Sequence, residues 1–206
     1  ASAKSAVGLD PGRLVEAAYP SPVISLILSD VIGDPLDVIA SGPTAPDEST
    51  YADAIDIIRR YGLWEDMPQT VLTHLIKGAN GELPETPKRH APVFDIVSNH
   101  IVGSNALAVE AARRAAESSG YQTTVLSTTL SGEASRVAAT LAEKAKEIRQ
   151  NLKPNEKVCL VAGGETTVVL TGKGKGGRNQ HLALTIGVEL ERVPLPPGLN
   201  ITLLCA

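Results

Sequence analysis

The sequence predicts an α/β fold: a mainly parallel sheet with helices on both faces, followed by the start of a second, smaller α/β unit. Three observations predict it. Short apolar runs rich in β-branched residues, at 22–28, 122–127 and 157–162, alternate with amphipathic stretches long enough to be helices. Parallel neighbours need crossover connections of that kind, and the crossing helices cover the sheet. Finally, a chain of 206 residues, 43% apolar and 20% charged, can bury one sizeable core, or one core plus a smaller unit.

Taken in order, residues 22–28 read as a buried strand that feeds a long loop punctuated by Gly33, Pro35, Gly42, Pro43 and Pro46. Ser49 or Thr50 then caps a helix in which Ala52, Ile55 and Ile58 recur at helical spacing up to Tyr61-Gly62. A second short helix is predicted over 69–77. Residues 78–92, rich in proline, glycine and charge, have no apolar period and read as an exposed, mobile connector. Apolar residues at 94–97 and 101–102 suggest one strand or a bent pair, after which Gly103-Ser104-Asn105 leads into an alanine-rich helix that ends before Gly120.

Beyond the strand at 122–127, Val137, Leu141, Ala145, Ile148 and Leu152 mark one face of a long helix that Pro154 ends. Residues 157–162 and 166–170 then read as the arms of a hairpin turning at Gly163-Gly164. This departure from the parallel pattern places a domain boundary near 153/154. A glycine and lysine loop at 171–177 precedes a helix over 179–192, and 199–204 reads as a last strand. An apolar run that stops at Ala206 and a start without Met read as the ends of a fragment.

Composition narrows the functional classes. No apolar run approaches the ~20 residues needed to span a bilayer, so no membrane segment is expected. A net charge of −4 with 3% aromatic residues provides neither a basic groove nor stacking platforms, which argues against nucleic acid as a partner. Cys159 and Cys205 lie singly in apolar runs and are expected to be buried thiols in a reducing compartment. His74, His90, His100 and His181 show no ligand spacing, so none stands out as catalytic or metal-binding.

Three segments carry candidate chemistry. At the carboxyl end of the first strand, where open α/β sheets place ligands, Asp30, Asp34 and Asp37 offer carboxylates for Mg²⁺, a substrate proton or hydroxyl groups. The same residues also suit plain turn chemistry with local Asx bonds. Second, Gly163, Gly164 and Glu165 together with Lys173, Lys175, Gly176, Gly177, Arg178 and Asn179 combine close-approach glycines, positive charge and a helix N-terminus, a setting for phosphate or carboxylate. A solvated loop tip is the alternative. The loop is no P-loop, and its literal match to the dinucleotide pattern at Gly172, Gly174 and Gly177 lacks the usual crossover unit and acid. Third, Ser104 and Asn105 either cap a helix or present donors to a phosphate.

The blocks SDVIGDPLDVIASGPT at 29–44, VGSN at 102–105 and CLVAGGETTVVLTGKGKGGRNQHLAL at 159–184 resemble class II glycerate kinases, the type that carries a MOFRL domain. The resemblance runs over almost the whole chain in the right order. It implies ATP-dependent phosphorylation of D-glycerate in a cleft between a Rossmann-like domain, here residues 1–153, and a MOFRL domain beginning at 154–206.

It also implies that Asp34, with Asp30 and Asp37, contacts Mg²⁺ or glycerate hydroxyls, and that Gly163, Gly164 and Glu165 line the cleft. Arg178 would meet the carboxylate or the transferring phosphoryl group, with Asn179 orienting it. His181 stands where the family has Glu. The family's upstream Lys region and downstream Gly-Thr-Asp-Gly segment are not in these residues, so the isolated chain is expected to be inactive or very weak, in a cytoplasmic or mitochondrial enzyme. Two other readings compete: an NAD-type cofactor domain of an oxidoreductase, and a non-catalytic α/β interaction module.

Overall fold

A computed structural model describes residues 11–153, 155–192 and 200–206, which fall into two units, 1–104 and 105–206. In the first, a short helix α1 (Arg13–Ala18) precedes β1 (Val23–Leu28). The sequence reading has no helix at α1, because six residues with one buried side chain, Val15, are too few to show a period. After a long loop come α2 (Tyr51–Arg60), α3 (Gln69–Ala79) and β2 (Val97–Gly103). β1 and β2 pair in parallel from Val23 opposite Val97 to Ile27 opposite Ile101, and a bulge then sets Leu28 against Gly103. The intervening helices supply the crossover that parallel pairing requires.

Helix α2 starts as its sequence predicts. Thr50 Oγ1 accepts from the Asp53 backbone N–H at 3.2 Å while the Asp53 carboxylate accepts from the Thr50 N–H at 2.8 Å, a complete capping box. Tyr51, Ile55 and Leu75 form the buried seam between α2 and α3, with Trp64 and Leu83 packed against it.

The connector at 78–92 differs from expectation: Thr86 and Pro87 are buried. The Lys88 ammonium donates to the Asp47 and Ser49 carbonyls, both at 2.7 Å, and Thr86 donates to the Asp47 carboxylate at 2.8 Å. A polar clamp therefore anchors a segment whose composition alone reads as free loop. On β1, the alternate residues Ile24, Leu26 and Leu28 face outward and are 73%, 71% and 76% exposed.

The second unit runs α4 (Asn105–Ser118), β3 (Gln122–Glu133), α5 (Ala134–Asn151), β4 (Val158–Thr167) and α6 (Arg178–Glu191). β3 and β4 are parallel, from Gln122 opposite Val158 to Glu133 opposite Thr167, with register breaks along β3. The expected hairpin is therefore absent. Gly163-Gly164 lies inside one continuous strand, because a long β3 partner lets the chain run straight through the glycines. That pairing also ties 158–167 to 122–133, and both strands lie in the compact unit 105–206.

Residues 200–206 form no strand, in contrast to the run expected at 199–204, and Leu199 lies outside the described residues. Apolar character alone does not make a strand without a ladder partner. Ala134, Val137, Ala138 and Ala142 of α5 bury against Leu182 and Ile186 of α6, with Cys205 packed at the edge. Both cysteines are free and half-buried, less enclosed than their apolar context predicts, and burial pushes the Cys205 thiol up. No helix among the described residues is long and apolar enough to cross a membrane.

Candidate functional site

Each unit presents candidate residues at the carboxyl ends of its parallel strands. In the first unit, the Ser29 N–H still bonds the Gly103 carbonyl at 2.8 Å, and the loop then leaves the sheet. Gly33 and Asp34 take positive φ values of 84° and 54°, and Ala40, Ser41 and Gly42 form three successive left-handed residues at 50°, 64° and 61°. For Ala and Ser this conformation costs roughly 1–2 kcal/mol each. Thr44 opposes that cost from the far side: its hydroxyl donates to Asn99 Oδ1 at 2.6 Å and its carbonyl accepts from Asn99 Nδ2 at 3.1 Å, pinning the loop to β2. Strain concentrated at a strand's carboxyl end is a common mark of a functional loop.

Asp34 is half-buried, while Asp30 and Asp37 are exposed. These acids do not converge. Among the described residues, no three His, Cys, Asp or Glu side chains come close enough together to hold a metal ion. The described residues thus offer no cage built from protein ligands alone. A single carboxylate that shares Mg²⁺ with phosphate oxygens and water is the more usual arrangement in phosphoryl transfer, and Asp34 fits that donor set.

In the second unit, the glycines of β4 have packing roles. A Cβ at Gly163 would overlap Asn105 and Val109 of α4, and one at Gly164, whose φ is 153°, would overlap the backbone of Leu130. Asn105 begins α4 and its amide donates to the Thr128 carbonyl of β3. Ser104, at the end of β2, is half-buried in the first unit. Glu165, next along β4, meets Arg178 at 2.8 Å. Each partner of this ion pair is about half exposed, so it contributes at most ~1 kcal/mol and an anionic ligand can exchange for Glu165 at little cost.

Arg178 is the first residue of α6, where the Gln180 side chain accepts from the Gly177 N–H at 3.2 Å. Asn179 donates to the Ala206 carbonyl at 2.7 Å. Lys173, Lys175, Gly176 and Gly177 lie exposed in the loop leading to α6.

Glu133, Ser135, His181 and Thr166, none of them a candidate site residue by sequence, join this region. Glu133 caps α5, accepting from the Arg136 N–H at 3.1 Å. The backbone hydrogen bond from Ser135 is the main cause that holds its carboxyl below the usual carboxylate range, reinforced by Arg136 N–H, the Ser135 hydroxyl and the field of His181. Ser135 Oγ and His181 Nε2 lie 2.9 Å apart. Residues 135 and 181 belong to different helices, so no spacing rule connects them, and His181 is no longer the unremarkable histidine that the sequence suggests. Opposite Gly132, Thr166 is only 5% exposed and its hydroxyl has no partner among the described residues. Two helix N-termini, Arg178 and hydroxyl groups thus gather at the carboxyl ends of β3 and β4 together with two carboxylates, Glu133, which caps α5, and Glu165, which pairs with Arg178, so an incoming anion would meet the N-terminus of α6 by exchanging for Glu165.

The chain is similar to known proteins in sequence and in fold. Residues 4–76 match the family model described as a domain of unknown function, DUF4147, and residues 158–204 match the MOFRL family. The chain is 42% identical to a glycerate kinase of Mus musculus over 226 aligned residues, covering 92% of this chain and 42% of the relative. It is 43% identical to a glycerate 2-kinase of Pyrococcus horikoshii, covering 84% of this chain and 39% of that one. Among solved structures, a crystal structure of a Thermotoga maritima glycerate kinase superposes with a TM-score of 0.73 at 36% identity, covering 88% of this chain and 41% of that chain. The chain therefore spans about two fifths of the length of the relatives it matches.

Proposed function

This chain belongs to the class II glycerate kinase family, and from that premise we propose that its protein transfers the γ-phosphoryl group of ATP to D-glycerate. The observation that carries the proposal is the placement of Arg178 at the N-terminus of α6, beside the carboxyl end of β4 and held in an exchangeable pair with Glu165. Phosphoryl transfer proceeds through a loose transition state with charge spread over the phosphoryl oxygens, so positioned positive groups supply most of the catalysis. Arg178 is the group that meets this charge or the glycerate carboxylate, its fork matching either anion. Lys173 and Lys175 raise the local positive potential on an acidic protein, and Asn179 and Glu165 orient the arginine. Gly176 and Gly177 let the backbone approach phosphate in the second unit, where Asn105 packs against Gly163 and Gly164 lets β4 lie close to β3, while Ser104 is a candidate hydrogen-bond donor to phosphate in the first.

In the first unit, Asp34 is the carboxylate that would share Mg²⁺ with the nucleotide phosphates, the ion supplying charge neutralisation when bound, while Asp30 and Asp37 contact substrate hydroxyls. The family boundary near 153/154, with 154–206 opening the MOFRL domain, draws support from the MOFRL match at 158–204. Two free thiols suit a reducing compartment such as the cytoplasm.

The acceptor is the 2-hydroxyl: relatives from Pyrococcus horikoshii and Thermotoga maritima carry the names glycerate 2-kinase and D-glycerate 2-kinase. The dinucleotide reading of Gly172, Gly174 and Gly177 and the non-catalytic reading are not favoured, since the relatives are named as kinases.

The test is ADP release by the whole protein with ATP, Mg²⁺ and D-glycerate, with the product passed to enolase alone. Enolase consumes 2-phosphoglycerate directly, whereas 3-phosphoglycerate requires a mutase first. Arg178→Ala is expected to lower activity by about 10- to 100-fold, the loss of one charge-assisted contact. No glycerate-dependent ADP release by the parent overturns the proposal.

A further inference from the structure

The first turns of α5 and α6 are joined by the hydrogen bond between Ser135 Oγ and His181 Nε2, 2.9 Å long. Behind it, Ala134, Val137 and Ala138 of one helix bury against Leu182 and Ile186 of the other. Such apolar contact holds the helices together but is not directional, and it resists rotation of a helix about its axis only weakly. A hydrogen bond at one end is directional and removes that freedom. Arg178 lies three residues before His181, on the neighbouring turn of the same helix face. Its guanidinium reaches Glu165 Oε1 at 2.8 Å. The rotation of this first turn therefore decides where the guanidinium points. On the α5 side, the Glu133 cap orders the turn that carries Ser135, since its carboxylate accepts from Arg136 N–H.

We propose that His181 is a positioning residue, whose bond to Ser135 sets the orientation of the first turn of α6 and thereby the aim of Arg178. The kinetic consequence rests on the glycerate kinase reading given above, but the structural one does not. A misaimed arginine still carries its charge, so substrate binding is affected less than the transition state, where alignment matters most.

The test uses the whole protein with His181→Leu, Ser135→Ala, the double variant and His181→Gln, whose amide can still bond Ser135. Two readouts are needed. The first is steady-state kinetics with ATP and D-glycerate. His181→Leu and Ser135→Ala are each expected to lower kcat about three- to tenfold, the worth of one hydrogen bond. KM should change less than kcat, the double variant should lose no more than either single one, and His181→Gln should stay within about twofold of the parent. The second readout is amide hydrogen exchange at residues 181–185, which is independent of activity. Exchange is expected to quicken in His181→Leu and Ser135→Ala and to remain at the parental rate in His181→Gln.

Unchanged exchange in the two disrupting variants overturns the proposal, as does quickened exchange with unaltered kcat. Additive losses in the double variant overturn it as well, since they show two independent roles. A parent inactive on glycerate overturns the functional reading instead, and the exchange rates then decide the present inference alone.

Discussion

Replacing a helical glycine by alanine normally stabilises a protein, and two positions in this chain are expected to respond with opposite signs. Gly78 lies in α3 and Gly187 in α6. The intrinsic gain at each is roughly 0.8–1.0 kcal/mol, because alanine loses less backbone freedom on entering a helix. At Gly187 an added Cβ meets nothing within 4 Å, so the gain is kept.

At Gly78 the same atom overlaps the ring of Tyr51. That ring has no room to retreat: Tyr51 is 3% exposed and stands edge-on to His74 at a centroid distance of 5.6 Å. Relief requires α2 and α3 to separate or Tyr51 to leave its rotamer, an overpacking cost of about 1–3 kcal/mol and more where backbone must move. That cost exceeds the propensity gain.

Gly187→Ala should therefore stabilise by about 0.5–1 kcal/mol, and Gly78→Ala should destabilise by about 1–2 kcal/mol net. Denaturant unfolding followed by circular dichroism reads both from the midpoints at constant m. A Gly78→Ala protein as stable as its parent refutes the claim that the α2–α3 seam is packed to contact at Tyr51. Gly78→Ala combined with Tyr51→Leu should recover part of the loss caused by the first substitution, which separates the clash from any other effect at position 78.

Other outcomes follow from the same physical reasoning. Gly42→Ala adds a Cβ 2.8 Å from the Asp37 carbonyl oxygen at a φ of 61°, so thermal melting should reveal a loss of roughly 2–4 kcal/mol and place the 29–44 loop under real constraint. For Glu133, the folded carboxyl titrates below its ordinary value of 4.5. Its ionised cap therefore contributes stability above that value, and the contribution is lost as pH falls through the lower folded pKa. In urea titrations at stepped pH, Glu133→Gln should flatten the acid limb of the stability profile, and an unchanged limb would show that the cap carries no linkage. Lys88→Met removes the donor to the Asp47 and Ser49 carbonyls, and limited proteolysis within 78–92 should then become faster; equal cleavage rates would show that the clamp does not anchor the connector.

Much of this protein was determined by sequence alone. Thr50 and Asp53 begin α2, Gly120 closes the turn after α4, and the period of Val137, Leu141, Ala145 and Ile148 places α5, because capping and amphipathic spacing act between residues a few positions apart. The blocks at 29–44 and 159–184 likewise carry the resemblance to the family.

Tertiary structure decided what depends on partners distant in the chain. β4 runs straight through Gly163-Gly164 because β3 lies alongside it, Thr86 is buried because Lys88 and Asp47 hold it, and residues 200–206 form no strand where no ladder reaches them. His181 acquires Ser135, 46 positions away, only when two helices bring their first turns together. Local patterns record short-range energetics, whereas pairing, burial and the company of a side chain are properties of the assembled chain.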